Sequence, residues 1–516
     1  MSLDLSRRQA LIGGSALLGL ATTGFAGSAF AAKDSITVRV DQDLLNLDPA
    51  NRSGPIDVNV INAVQQGLIS FKPGSTDWEL DAAEEITQVS DTEISFKLRK
   101  GLTFTDGYGE LTAEDVKFSF ERFIKPNDAG KKVTYADDWA ALDHVEVTGP
   151  LSGKIILKNP SPALWVIALA DGSGRILSKK AFEKLGEEKI ATTLIGSGPY
   201  VLKEWKPRER FVLERNTDYK GPIKGHVKTI IGKPIAEQKT ADLAFQAGEI
   251  DFTLIEPENI AQFKKAGTTV VELPAIDYVW IGPNIGAKPY DDVRVRQALR
   301  LAIDIDAVLA GAYGGLYPRA NALLAPSLLG YWKDAPVYKR DVEAAKKLLA
   351  DAGHADGFKT RLTILAGAKT EAVAAIVQAN LAEVGIEVEI EALDGGAYWA
   401  LGENDASKKL ELSLINYRGK FDPSFQTQWF TSDQVGTWNW QRWRSKEFDE
   451  LHAQGAKTVD PAERAKIYVK AQQLQDESAA FIWLTHNLYT FAAKEGVKPG
   501  VLPNGNNWLY TAFETA

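Results

Sequence analysis

The stretch LTILAGAKTEAVAAIVQANLAEVGIEVEIEAL, residues 362–393, changes its hydrophobic rhythm twice. LTILAG (362–367) is a short apolar run, TEAVAAIVQANLAEVG (370–385) has helical periodicity and closes on glycine, and IEVEIEAL (386–393) alternates apolar with mostly acidic residues. Strand, helix and strand in that order predict a βαβ unit, whose strands lie parallel with a right-handed crossover. The fold class that follows is α/β.

The rest of the chain has the same mixed character. TEISFKLR (92–99) places Ile94, Phe96 and Leu98 on alternate positions, the pattern of a half-buried strand. LTAEDVKFSFERF (111–123) reads as a helix: Thr112 is placed to cap it, Glu114 and Asp115 sit in its positive first turn, and Val116, Phe120 and Phe123 share one face. DDVRVRQALRLAIDIDAVLAG (291–311) and RDVEAAKKLLADAG (340–353) predict one helix each, led by Asp and closed by Gly. No internal repeat and no low-complexity linker is visible, so the domains meet through short crossings.

The N-terminus carries an address. Arg7 and Arg8 precede an apolar, Gly/Ala/Leu-rich stretch that ends at the small-x-small site Ala29, Phe30, Ala31. That is a secretory signal, residues 1–31, with cleavage expected after Ala31. The Ser-Arg-Arg order and Leu11 are similar to a twin-arginine signal, although Ala10 stands where an aromatic residue is preferred.

The formal charge is −9, which disfavours a polyanion-coating surface. The sequence has no cysteine, so disulfides, thiolate metal sites, thiol nucleophiles and a lipid-bearing cysteine are all absent. With the signal, this places the expected protein free in the periplasm. No run after Ala31 approaches the length of a membrane span.

Catalytic patterns are not found. The histidines (144, 226, 354, 452, 486) are dispersed without HExxH spacing, and neither a GxSxG elbow nor a GxxxxGK[ST] loop occurs. DGSGR (171–175) and GSGPY (196–200) lack dinucleotide spacing and read as turns. The unusual local feature is GTWNWQRW (436–443), with three tryptophans in eight residues. Large, stiff aromatic side chains suit a ligand cleft, because they add contact area at little rotamer cost. Strand alternation would put Trp438 and Trp440 on one face with Asn439 opposite, and would leave Trp443 under the following helix.

Six stretches, in order, resemble one family: the large periplasmic solute-binding proteins of ABC importers that serve peptides, nickel chelates and opines, known as family 5. They are NLDPA (46–50), LTAEDVKFSFER (111–122), GSGPYVLKEW (196–205), YDDVRVRQALRLAID (290–304), LAEVGIEVEI (381–390) and SKEFDEL (445–451). The resemblance implies a two-lobed periplasmic binding protein with a hinge, an extra subdomain in the first lobe, and no catalysis. Lobe I is expected at 32–279 plus 482–516, with the subdomain at about 61–194, and lobe II at 280–481. The crossings are expected near Tyr278 to Asn284 and Phe481 to His486. The resemblance also implies ligand contacts from Ser53 and Gly54, from the aromatic pair Tyr398 and Trp399, and from Asn439 beside Trp438 and Trp440. A transient ABC permease partner, a monomeric state, no nucleic acid, no metal and no cofactor complete the expectation.

The chain departs from the family at NYRGKFDP (416–423). In peptide-binding members an aspartate three residues before the acidic-Pro corner holds the peptide's amino terminus; here that position is Gly419, flanked by Arg418 and Lys420. Tyr417 and Arg418 are therefore added to the candidate site, with a ligand bearing a carboxylate or phosphate, such as an opine or modified peptide, expected over generic oligopeptides. Asp422 is the acid that a shifted loop would substitute. Two other classes stay open: a periplasmic hydrolase of peptides or oligosaccharides, and a single-strand nucleic-acid binder that uses tryptophans interleaved with Arg442 and Arg444.

Overall fold

The computed structural model describes residues 33–126 and 130–516; the segment read as a signal, 1–31, lies outside them. Three sheets organise these residues. A seven-stranded mixed sheet has the order Tyr200–Lys206, Arg210–Arg215, Thr229–Pro234, Ser35–Val40, Phe252–Ile255, Leu488–Lys494, Thr268–Pro274. A five-stranded sheet has the order Ile386–Leu393, Phe358–Leu365, Leu412–Tyr417, Tyr278–Pro283, Ile482–Thr485. A four-stranded antiparallel sheet, Ala83–Ser90, Glu93–Leu98, Ser152–Leu157, Leu142–Gly149, is inserted into the first lobe.

The βαβ unit forms as read. Phe358–Leu365 and Ile386–Leu393 pair in parallel, Phe358 opposite Ile386 through Leu365 opposite Leu393, with the helix Ala368–Ala382 between them. The first strand begins four residues before the apolar run, because Thr360 faces inward while Lys359 faces solvent.

The helix at Ala113–Glu121 also forms, and the Asp115 carboxylate accepts from both the backbone N–H and the hydroxyl of Thr112, closing a capping box. The segment 291–311 is two helices and not one. Val293–Ala302 ends at Ile303, whose backbone is extended, and Asp304 caps Ile305–Ala312 by accepting from the Ala307 N–H at 2.9 Å. An Asp inside an apolar period was the missed stop signal.

The strand Tyr278–Pro283 divides the second lobe by simple alternation. Tyr278 and Trp280 point into a core shared with Phe430, Trp440 and the inserted four-stranded sheet. Val279 and Ile281 point to the opposite face, where the helices Val293–Ala302, Ile305–Ala312, Val342–Asp351 and Ala368–Ala382 supply Leu299, Val308, Leu349 and Val377. The helix Pro55–Val64 buries Val60, Ile61 and Val64 under the seven-stranded sheet together with Leu194, so the inserted sheet is reached after Val64.

Strand membership also locates the crossings. The chain leaves the seven-stranded sheet at Pro274 and joins the five-stranded one at Tyr278; it returns between Thr485 and Leu488. The crossings are thus 275–277 and 486–487, a few residues from the expected boundaries at 279 and 482. Most of the stretches Tyr278 to Asn284 and Phe481 to His486 is strand.

Candidate ligand-binding cleft

A cavity of about 290 Å³ opens between the seven- and five-stranded sheets, directly over the two crossings. The first lobe contributes Leu254 to Pro257 and Leu488 to Thr490; the second contributes Val279, Leu414 to Asn416, Arg418, Lys369 and the aromatic pair Tyr398 and Trp399. Asp277 and Asn487, one on each crossing, form part of its wall.

Asp277 is the chemical centre of this wall. It is 3 % exposed, and its carboxylate accepts from the Tyr489 hydroxyl at 2.7 Å, the Asn487 side-chain amide at 3.2 Å and the Gly419 backbone N–H at 3.4 Å. It forms no ion pair among the described residues. Burial pushes its carboxyl above the usual range, a shift partly offset by Tyr489, Asn487 and the charge of Arg418. Arg418 is exposed on the same wall and makes no ion pair of its own among the described residues. The crossing is further tied by His486, whose Nδ1 lies 3.1 Å from the Asp277 carbonyl oxygen and whose pKa burial lowers to about 4.

At the cavity mouth, Lys369 donates to the Tyr317 hydroxyl at 2.6 Å and lies 3.2 Å from Glu258 and 3.6 Å from Glu256, which belong to the other lobe. Its ammonium sits over the Tyr317 ring, 4.7 Å from the centroid.

The expected aromatic wall is split in two. GTWNWQRW is a series of turns and not a strand, so the expected alternation fails. Trp438 is 39 % exposed and meets Trp399 (36 % exposed), Tyr417 and Trp429 edge to face. Trp440 is instead buried against Tyr398, with ring centroids 4.9 Å apart. Glycine is required at 402 beneath it, since a Cβ there would lie 2.0 Å from the Trp440 indole nitrogen. Trp443 packs on Phe448 of the following helix, as expected.

Asn439 is fully buried and uses its side-chain amide on the backbone: it donates to the carbonyls of Phe430, Thr431 and Trp443 and accepts from the Trp443 N–H. It brackets the turn and does not reach the cavity. Tyr417 lies behind the wall, donating its hydroxyl to the Trp438 carbonyl, and Tyr398 lines the cavity with its hydroxyl committed to the Leu414 carbonyl. Ser53 and Gly54 lie on the loop leading into the helix Pro55–Val64, where the Ser53 N–H donates to Asp57; neither lines the cavity.

Asp422 does not substitute for the missing acid of the loop. It forms a buried bidentate pair with Arg464, both bonds 2.7 Å. The sequence reading missed Asp277, Lys369, Asn416, Asn487 and Tyr489. The only local signal was the isolated acid of AIDYVWIG, placed immediately before an apolar strand.

The tryptophans and arginines of the nucleic-acid reading are not presented together. Trp440 and Trp443 are buried and only Trp438 of the three is exposed, while Arg442 donates to Ser407 and Arg444 to the Ser432 carbonyl. Among the described residues no group of three or more His, Cys, Asp or Glu is arranged to hold a metal, and no helix is long and apolar enough to cross a membrane.

Comparison with known proteins agrees with this architecture. The glutathione-binding protein GsiB of Escherichia coli K12 is 29 % identical over 472 residues, covering 89 % of this chain and 90 % of its own. HbpA2 from Haemophilus parasuis superposes with a TM-score of 0.83 at 24 % identity, covering 93 % of this chain and all of its own. The periplasmic murein tripeptide-binding protein MppA, in an unliganded open form, gives 0.81 at 21 % identity, covering 94 % of this chain and 98 % of its own. Residues 77–438 match the model of the bacterial extracellular solute-binding proteins, family 5, and the chain belongs to that family.

Proposed function

We propose that this protein is the exported binding component of an ABC importer and that its ligand carries a cationic and an anionic group close together. The observation that supports this reading is the pairing of Asp277 and Arg418. Among the described residues neither forms a direct ion pair, although the charge of Arg418 reaches Asp277: one is a buried carboxylate, the other an exposed guanidinium, and both lie on one cavity between the lobes. A buried charge is costly unless it is met, and a planar guanidinium matches a carboxylate bidentately. Each residue lacks what a zwitterionic ligand supplies. Relatives bind such compounds: glutathione for GsiB, and mannopinic acid for a binding protein from an Agrobacterium strain R10.

Export through residues 1–31, by the twin-arginine route with cleavage after Ala31, delivers the chain to the periplasm, where it acts as a monomer without catalysis. Trp399 and Trp438 then flank the bound ligand, and the crossings at 275–277 and 486–487 form the hinge.

A thermal-shift panel tests the ligand class. Glutathione and an opine acid, each with both charges, should stabilise the protein more than an unmodified dipeptide does, with saturation at one ligand per chain and a fall in the radius of gyration. Stabilisation by neutral sugars or simple dianions alone would overturn the reading. The intact mass of the periplasmic protein should correspond to a chain starting at Ala32.

A further inference from the structure

Lys369 belongs to the helix Ala368–Ala382 of the second lobe, whereas Glu256 and Glu258 follow the strand Phe252–Ile255 of the first. Their ion pairs therefore span the cleft. The crossings at 275–277 and 486–487 join the lobes covalently at one side of the cavity, and these ion pairs join them non-covalently at its mouth.

Three features distinguish this contact from an ordinary surface ion pair. One ammonium meets two carboxylates, so loss of either still leaves an attraction. The Tyr317 hydroxyl and the Tyr313 and Tyr317 rings hold Lys369 in place, which reduces the rotamer entropy lost on pairing. Finally, Lys369 is about one-third exposed, so water screens the pair less than it would a fully exposed one.

We infer that Lys369 with Glu256 and Glu258 forms an electrostatic clasp that limits separation of the two lobes and so slows loss of whatever the cavity holds. The attraction acts between the lobes themselves and requires no bound ligand. Removing it raises the population of conformations with the lobes apart, by the Boltzmann factor of the attraction lost.

A second bridge lies farther along the cleft, where Lys420 of the second lobe meets Asp138 of the inserted subdomain at 3.0 Å. There the neighbouring rings of Phe71 and Phe421, 4.7 Å apart, add an apolar contact that survives loss of charge. The Lys369 clasp is held across the cleft by ion pairs to Glu256 and Glu258, so charge removal acts on it directly.

The chain's lack of cysteine permits a direct measurement. Leu243→Cys in the first lobe and Glu343→Cys in the second, both exposed, take spin labels whose separation reports the lobe distance. In the otherwise native protein, Lys369→Met should shift the distance distribution outward, with roughly fivefold more of the separated population, the scale expected for loss of a partly screened pair. Raising the ionic strength from about 0.01 M to about 1 M, where the screening length falls from ~30 to ~3 Å, should do the same to the unaltered chain and little to the variant.

The double variant Glu256→Gln/Glu258→Gln should match Lys369→Met. The swap Lys369→Glu with Glu258→Lys and Glu256→Gln should restore the compact distribution. Identical distributions for the native chain and Lys369→Met would overturn the clasp, as would an effect of Lys369→Met that the glutamate double variant does not reproduce. Because no ligand is added, the result is independent of the roles proposed for Asp277 and Arg418.

Discussion

The backbone N–H of Gly419 points at the carboxylate of Asp277 across 3.4 Å, and a Cβ at position 419 would come within 2.2 Å of the Ile276 carbonyl oxygen. The loop therefore approaches the first crossing too closely to carry a side chain at 419. The buried carboxylate beside this loop is that of Asp277, on the opposite segment.

Asp277→Asn should separate ligand binding from stability. Folding raises the pKa of Asp277, so its burial costs stability at neutral pH, a cost that disappears as pH falls below the unfolded value near 3.8. The amide should therefore keep or raise the melting temperature at pH 7, with the advantage shrinking in acid, while affinity for a zwitterionic ligand falls by about 2–5 kcal/mol. Differential scanning fluorimetry and titration calorimetry on one preparation check both signs.

At Arg418 the expected order is Arg418→Ala weaker than Arg418→Lys, and Lys weaker than native. A lysine restores the charge but not the two parallel N–H donors that a carboxylate accepts. Calorimetric affinities for one carboxylate ligand across the three proteins test it, and equal affinities would remove Arg418 from the site.

Arg464 is a structural counterpart. Its guanidinium is 4 % exposed and is held by Asp422 and the Gly455 carbonyl. Arg464→Ala leaves a buried carboxylate uncompensated and should cost about 3–5 kcal/mol of folding stability, read as a lower midpoint in urea.

His486 should make the crossing acid-sensitive. Burial lowers its pKa from 6.5 to about 4, so between those values the unfolded chain binds a proton that the folded chain refuses. Stability is then complete above about pH 6.5 and declines towards pH 4, by about 1.4 kcal/mol per pH unit for the one group. The comparison of native protein with His486→Gln in urea unfolding at pH 4.5 and 7 isolates this term, and the variant's midpoint should change less with pH.

The sequence alone determined the repeating elements, because hydrophobic period and capping residues are local. The βαβ unit at 358–393, the capped helix at Ala113–Glu121 and the burial of Trp443 under the next helix were all legible from spacing. So was family membership, since six ordered segments carry it.

The tertiary structure decided where each candidate cleft residue sits. Asn439 and Trp440 belong to a motif that looks like a ligand wall, yet the turn folds them inward, because three carbonyls satisfy Asn439 and a glycine at 402 opens space for the indole. Asn487, Tyr489 and Lys369 carry no local mark, and Asp277 only that of an isolated acid before an apolar strand. They meet only because two crossings, about 210 residues apart in sequence, bring the sheets together, and long-range pairing of that kind leaves no period in the chain.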